Sequence, residues 1–237
     1  GGAAGIGRAM VDSFCDAGAR VHVADLPEQT KGLPTEVGFT GADVADPTQV
    51  DQLFEEIMAT LGGVDVMCNN VGVAGPTGPI EDLEVSDWDK TMDINVRSMF
   101  LCCRRAVPLM LQAGGGSIIN TSSTAGLTGY PLRSPYAASK WAVIGLGATL
   151  SMELGELGIR TNPICPGSVD GNRIDQVIAT EAKSLKLDQS EVRSCYQDQV
   201  SMRTFVDGSD VASLAVFLAS PAARFLNGQV ISVDGGL

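Results

Sequence analysis

The chain opens Gly1-Gly2-Ala3-Ala4-Gly5-Ile6-Gly7, continues through a helical pattern that stops at Gly18, and then reads Ala19-Arg20-Val21-His22-Val23-Ala24-Asp25. Glycines at 1, 5 and 7 suit a tight turn whose backbone can approach a phosphate. A helix that starts in such a turn, here from Gly5, Ile6 and Gly7, offers unpaired N–H groups and the positive end of its dipole to negative charge. The alternating β-branched run after Gly18 predicts a strand, and it ends in an acid eighteen residues beyond Gly7. Turn, helix, strand and acid in that order describe the phosphate-to-ribose half of a dinucleotide site. A carboxylate at the strand's C-terminal end accepts hydrogen bonds from ribose hydroxyls and repels a 2′-phosphate. Neither Ala3 nor Ala4 is basic, so the stretch predicts NAD rather than NADP.

Outward from that unit, strands and helices alternate. A short strand ends near Asp43, a helix spans about Pro47 to Leu61 with Asp46 as its cap, and Val64 to Cys68 reads as a strand. A long helix from about Ser86 to Leu111, a strand Ser117 to Thr121 and a helix Tyr136 to about Leu154 follow. A strand Arg160 to Cys165, a helix from Asp210 to about Ser220 and a last strand Gln229 to Val233 complete the order. This alternation predicts an α/β fold, a doubly wound parallel sheet, with residues 1–237 as one domain. Pro163 forfeits a ladder hydrogen bond inside its strand, which predicts a shifted strand start or a bulge. The polar stretch 168–204 is too long for a simple connection and is expected to be a partly helical lid over the substrate.

Tyr136 and Lys140 stand four apart on one predicted helix face, and Ser123 lies thirteen residues before Tyr136 at the end of a predicted strand. A nearby ammonium favours a phenolate, so this tyrosine is suited to exchanging a proton with an alcohol or carbonyl oxygen, with a serine hydroxyl as second partner. Ser122 is the rival for the reactive hydroxyl. Arg133 and Arg173 are candidates to anchor an anionic substrate group, with a solvated arginine the expected state of each.

These elements together resemble the classical branch of the short-chain dehydrogenase/reductase family over essentially the whole chain. Gly1, Gly5 and Gly7 match its glycine turn, Asp43-Val44 its adenine-side pair, and Asn69-Asn70-Val71-Gly72 its Asn-Asn-Ala-Gly segment. Asn95 matches its helix asparagine, Ser123, Tyr136 and Lys140 its catalytic set, and Pro166-Gly167 the turn beside the nicotinamide. The resemblance implies a Rossmann fold, Tyr136 as general acid/base, Lys140 on the nicotinamide ribose, and Ser123 on the substrate oxygen. For Asn95 it implies a water-mediated proton relay toward Lys140, against the alternative of a structural cap at a helix kink. It also implies cofactor contacts at Asp25, Asp43, Val44, Asn70, Gly72, Pro166, Gly167 and Val169, and a homotetramer or dimer. Where the family often has a cofactor-bonding threonine, this chain has Gly171, so closure on the cofactor is expected to rest on Ser168, Val169 or Asn172. Family members carry a strand before the glycine turn, so the given sequence is expected to lack an N-terminal segment. An enoyl reductase spaces its tyrosine and lysine further apart and is set aside.

Composition narrows the partners. With 16 basic and 28 acidic residues the net charge is −12, which disfavours nucleic acid and anionic membrane. No run approaches the ~18 apolar residues of a membrane helix. Six cysteines without a C-x-x-C pattern are expected to be reduced thiols of a cytoplasmic protein, and the single histidine, His22, to be structural, which leaves no basis for a metal site. The expected reaction interconverts a small secondary alcohol and a ketone with NAD. A 3-oxoacyl-thioester reductase and a non-catalytic dinucleotide sensor are the other readings.

Overall fold

The glycine turn leads into the helix Gly5–Asp16 (α1), and the alternating run after it forms the strand His22–Asp25 (β1), three residues shorter at its start than the sequence pattern. This computed structural model describes residues 1–29 and 32–237. β1 pairs in parallel with Gly38–Gly41 (β2). The helix Pro47–Leu61 (α2) has the bounds its punctuation dictates. The Asp46 carboxylate accepts from the N–H groups of Thr48 and Gln49 at 2.8 and 3.2 Å, and Gly62 ends the helix at φ +78°.

The strands Val66–Asn69 (β3), Gly116–Thr121 (β4), Ile159–Pro166 (β5) and Ile231–Val233 (β6) form a second parallel sheet in the order β3-β4-β5-β6. Every ladder is parallel, as expected, but the sheet stands in two pieces. Between β1 and β3 runs an apolar slot of about 470 Å³, lined by Met10, Val11, Val23, Val66 and Cys68 among others.

Both faces of the larger sheet are covered. Neighbouring residues of β4 divide between the two cores: Ile118 packs with Phe54 and Ile57 of α2, and Ile119 with Met10 of α1 and Ala215 of the helix Gly208–Ala219 (α8). Burial on both sides explains why β4 reads as an apolar run. Pro163 causes neither a bulge nor a late start. Ser122 N–H donates to Ile164 O and Gly228 N–H to Thr161 O, so alternate residues of β5 face β4 and β6. Pro163 therefore turns its missing donor to the β6 side, where the ladder begins only at Ile164.

The single helix expected over 86–111 is three pieces: Val85–Met92 (α3), a π-turn Asp93–Arg97, and Ser98–Ala113 (α4). Helical periodicity does not reveal a π-turn, because the residues on either side keep their helical pattern. After the helix Ser134–Leu154 (α5) and β5, the stretch expected to be a lid is mostly helical. Asn172–Leu185 (α6) and Gln189–Asp198 (α7) share a small core of their own, Ile174, Ile178, Ala182, Val192 and Phe205. Among the described residues no helix is long and apolar enough to cross a membrane.

Candidate active site

β4 and α5 build the centre of the site. At the end of β4, Ser122 is buried and its hydroxyl donates to Lys140 O at 2.8 Å, which fixes it to α5 and removes it from the cleft. The backbone of Ser123 is extended, and its Oγ accepts from Ala125 N–H and lies toward the Tyr136 hydroxyl. The choice between the two serines is thus a matter of where β4 ends. On α5, Lys140 is 3% exposed. Its Nζ donates to Thr121 O at 2.9 Å and lies 5.7 Å from the Tyr136 ring centroid.

Burial by itself raises the pKa of the Tyr136 hydroxyl. Lys140, Arg173, the hydrogen bond with Ser123 and Arg133 outweigh burial together, and the net shift is below a free tyrosine. Burial likewise pushes Lys140 down, partly offset by Tyr136. Both groups are thus shifted toward neutral pH, Tyr136 by its cationic neighbours and Lys140 by burial.

Asn95 sits in the π-turn and is fully buried. Its Oδ1 accepts from Val73 N–H at 2.7 Å, and its Nδ2 donates to Val73 O at 3.0 Å and to Ser139 Oγ at 2.9 Å. Ser139 in turn donates to Tyr136 O. Asn95 therefore clamps the 72–79 loop to the helix that carries Tyr136, and its place at the bulge accords with the structural alternative. Its carboxamide is also near Lys140, because a Cβ built on Gly72 would lie 3.2 Å from Asn95 Oδ1 and 3.5 Å from Lys140 Nζ.

The turn residues assemble at the same edge. A Cβ on Gly7 would lie 1.7 Å from Gly1 O and 2.7 Å from Asn70 Nδ2, and Asn70 itself donates to Gly1 O at 2.8 Å. Ala4 precedes α1 without a side-chain cap, and the first turn holds no acid, so its amides are unclaimed. The Ile6 side chain packs into the core with α8, which leaves its backbone for a ligand. Asp25 accepts from Ala3 N–H at 3.0 Å and Leu26 N–H at 2.9 Å, and so braces the turn it faces. Exposed Asp43 accepts from Ala45 N–H, while Val44 is buried in the core. At the far end, Gly167 N–H donates to Val233 O, and a Cβ there would meet Asp234 at 2.9 Å. Val169 bridges to Val206. Gly171 stands at φ +130°, a conformation that a threonine adopts only under strain. An uncapped helix start, a glycine cradle and a carboxylate beside it fit the diphosphate and ribose of a dinucleotide.

The sequence profile of a family described as enoyl-(acyl carrier protein) reductase matches residues 1–237. A probable short-chain type dehydrogenase/reductase of Bradyrhizobium diazoefficiens is 37% identical over all of this chain and 85% of its own length. The chain belongs to the short-chain dehydrogenase/reductase family. The D-threitol dehydrogenase of Mycolicibacterium smegmatis is 33% identical over all of this chain and 90% of its own. Among solved structures, a variant of the actinorhodin polyketide ketoreductase with NADPH superposes with a TM-score of 0.95 at 28% identity, over all of this chain and 94% of that one. These relatives are dehydrogenases and reductases, so this family member is an oxidoreductase that works with a nicotinamide dinucleotide.

Two residues depart from the sequence reading. Arg133, expected in solvent, is 7% exposed; its Nη2 donates to Ala74 O at 2.8 Å, and its Cζ lies 5.1 Å from the Tyr136 ring centroid. Its place three residues before Tyr136 was the available signal, but burial there depends on the 72–79 loop folding over it. Tyr196 of α7 falls within the stretch expected to be a lid. Its hydroxyl donates to Glu181 at 2.7 Å and lies 3.3 Å from Tyr130 OH, so it ties α7 to the segment before the catalytic helix. His22 bridges Thr40 of β2 and Thr60 of α2, a structural place as expected. All six cysteines are free thiols.

Proposed function

We propose that the protein interconverts a secondary alcohol and a ketone with NAD(H). The observation that carries this reading is the Tyr136 hydroxyl, held below its ordinary pKa by Lys140 and Arg173 with Ser123 beside it. Gly1, Gly5, Ile6, Gly7, Asp25, Asp43, Val44, Asn70, Gly72, Pro166, Gly167 and Val169 would hold the dinucleotide, together with Tyr136 and Lys140. When bound, its nicotinamide supplies the hydride acceptor or donor. In the oxidising direction the Tyr136 phenolate takes the alcohol proton; in the reducing direction the phenol returns it to the carbonyl oxygen. Ser123 orients that oxygen by a hydrogen bond. Lys140 keeps the phenolate accessible, and Asn95 holds the loop and helix that frame the cleft, beside the water route to Lys140. Asp25 supports NAD, because its carboxylate opposes a 2′-phosphate.

The stretch 168–204 is the substrate lid in this reading, latched through Tyr196. A homotetramer or dimer is supported by apolar side chains on the outer faces of α4 and α5, where Phe100 and Trp141 are about half exposed and Met152 is 85% exposed. Unpaired cysteines throughout support a cytoplasmic setting.

The test is absorbance at 340 nm with secondary alcohols, cyclic diols and 3-hydroxyacyl thioesters, each with NAD and with NADP, on a preparation whose mass is checked by light scattering. Oxidation of one alcohol class with NAD is expected. Its rate should rise with pH as Tyr136 loses its proton, and reduction should show the opposite trend. Turnover of thioesters with NADP alone would replace this reading with an acyl reductase, and cofactor binding without any turnover would favour a sensor.

A further inference from the structure

The catalytic cleft holds more positive charge than proton transfer by Tyr136 requires. Arg133 is buried, yet among the described residues no carboxylate lies within ion-pair reach of it. Only one of its nitrogens is accounted for, Nη2 on the carbonyl of Ala74. Nε is sealed from solvent without a partner, and Nη1 makes no hydrogen bond among the described residues. A buried guanidinium with idle donors is destabilising unless something satisfies it. The faces of Tyr130 and Tyr136, 5.8 and 5.1 Å from its Cζ, hold it in place beside the reacting hydroxyl but use none of its N–H groups.

Arg173 adds a second cation. It stands in the first turn of α6, exposed, and its charge reaches both Tyr136 and Lys140. The acids nearest to it in sequence are engaged elsewhere, since Asp170 and Asp175 both pair with Arg193. Glu181, further along the same helix, accepts from Tyr196. In a chain with 28 acidic and 16 basic residues, two arginines near Tyr136 without an acidic partner among the described residues run against the composition.

We propose that the substrate carries an oxyanion group close to its reacting carbon, a carboxylate, sulfonate or phosphate, and that Arg133 and Arg173 receive it. The planar fork of Arg133 suits a bidentate oxyanion, and a neutral alcohol leaves its donors idle. This rests on Tyr136 acting as the acid/base of an alcohol dehydrogenase, since it places the anion relative to that hydroxyl. Arg173, arriving with the α6–α7 segment, completes the anion site when that segment lies over the cleft, so charge on the substrate selects for the covered state. The class of substrate is then a small hydroxy acid or its keto counterpart, or the sulfonate or phosphate analogue.

Binding and turnover test the two claims separately. With the dinucleotide present, isothermal titration would compare 3-hydroxybutyrate, 2-hydroxypropane-1-sulfonate and 2-hydroxypropyl phosphate with methyl 3-hydroxybutyrate, which lacks the charge. The wild-type protein should bind at least one anion tenfold or more tighter than the ester, and the three anions rank the oxyanion types. Arg133→Met should weaken that anion about 100-fold and the ester less than threefold; Arg133→Lys, which keeps the charge without the fork, should fall between. Arg173→Gln gives a second, exposed variant that does not depend on the fold tolerating a change at Arg133, with a loss of about tenfold for the anion alone. Equal binding of anion and ester, or equal losses on both in the variants, would overturn the anion site and leave Arg133 as a brace for Ala74. Anions that bind as described but are oxidised with neither NAD nor NADP would uphold the anion site and remove the dehydrogenase reading.

Discussion

The glycine-turn region around β1 and α1 and the tyrosine region around β4 and α5 meet at one edge of the fold, but they are built on opposite principles. In the first, the decisive feature is missing side-chain volume. Gly7 lies so close to the carbonyl of Gly1 that a single methyl group would overlap it, and the α1 amides are left unclaimed. In the second, the decisive feature is side chains driven together. A lysine with 3% exposure, a tyrosine and a serine from a strand end act on one hydroxyl, and an asparagine buried in a π-turn frames them. A site made of backbone depends on steric room and tolerates no added atoms. A site made of side chains depends on electrostatics and loses chemistry before it loses shape.

That contrast predicts different kinds of failure. Tyr136→Phe should show the largest effect on catalysis, a fall in kcat of about 10²- to 10⁴-fold, the span of general acid–base contributions. Dinucleotide affinity, measured by titration, and the melting temperature should stay near wild type; substantial remaining turnover would remove Tyr136 from the chemistry. Gly7→Ala should do the reverse. Its Cβ meets backbone rather than a flexible side chain, so the turn must move. The expected result is loss of measurable dinucleotide binding with about 1–3 kcal/mol of lost stability in urea unfolding. A Gly7→Ala protein that binds the dinucleotide normally would break the comparison. Asp25→Ala should give the smallest change: a several-fold weaker affinity for NAD and a narrowed preference over NADP. Part of that loss would come from the turn itself, because Asp25 also accepts from Ala3 N–H. An unchanged preference would mean that the ribose is read elsewhere.

The stretch 168–204 offers a third contrast. Its helices α6 and α7 pack mainly on each other through Ile174, Ile178 and Val192, and reach the catalytic segment through the Tyr196 hydroxyl. Polar composition at 168–204 pointed only to a partly helical stretch, and the structure resolves it into two amphipathic helices with a small shared core. Apolar residues spread over two short helices give a weak periodic signal until the helices face each other.

The sequence by itself determined the parallel α/β order, the bounds of α2 and the glycine turn, and it singled out Ser123, Tyr136 and Lys140 as candidates. These rest on short-range rules: a cap two or three residues from its amides, a glycine where a turn must be tight, and an i to i+4 spacing on one helix face. Tertiary structure alone decided that Ser122 is tied to Lys140 O while Ser123 is left beside Tyr136. It decided that the helix bearing Asn95 breaks into a π-turn and that Pro163 turns its missing donor to the β6 side. It also decided that Arg133 is buried without an acidic partner among the described residues. The reason is common to all four: each depends on which distant backbone or side chain arrives alongside. Burial and unsatisfied hydrogen bonds are properties of that meeting and leave no trace in local spacing.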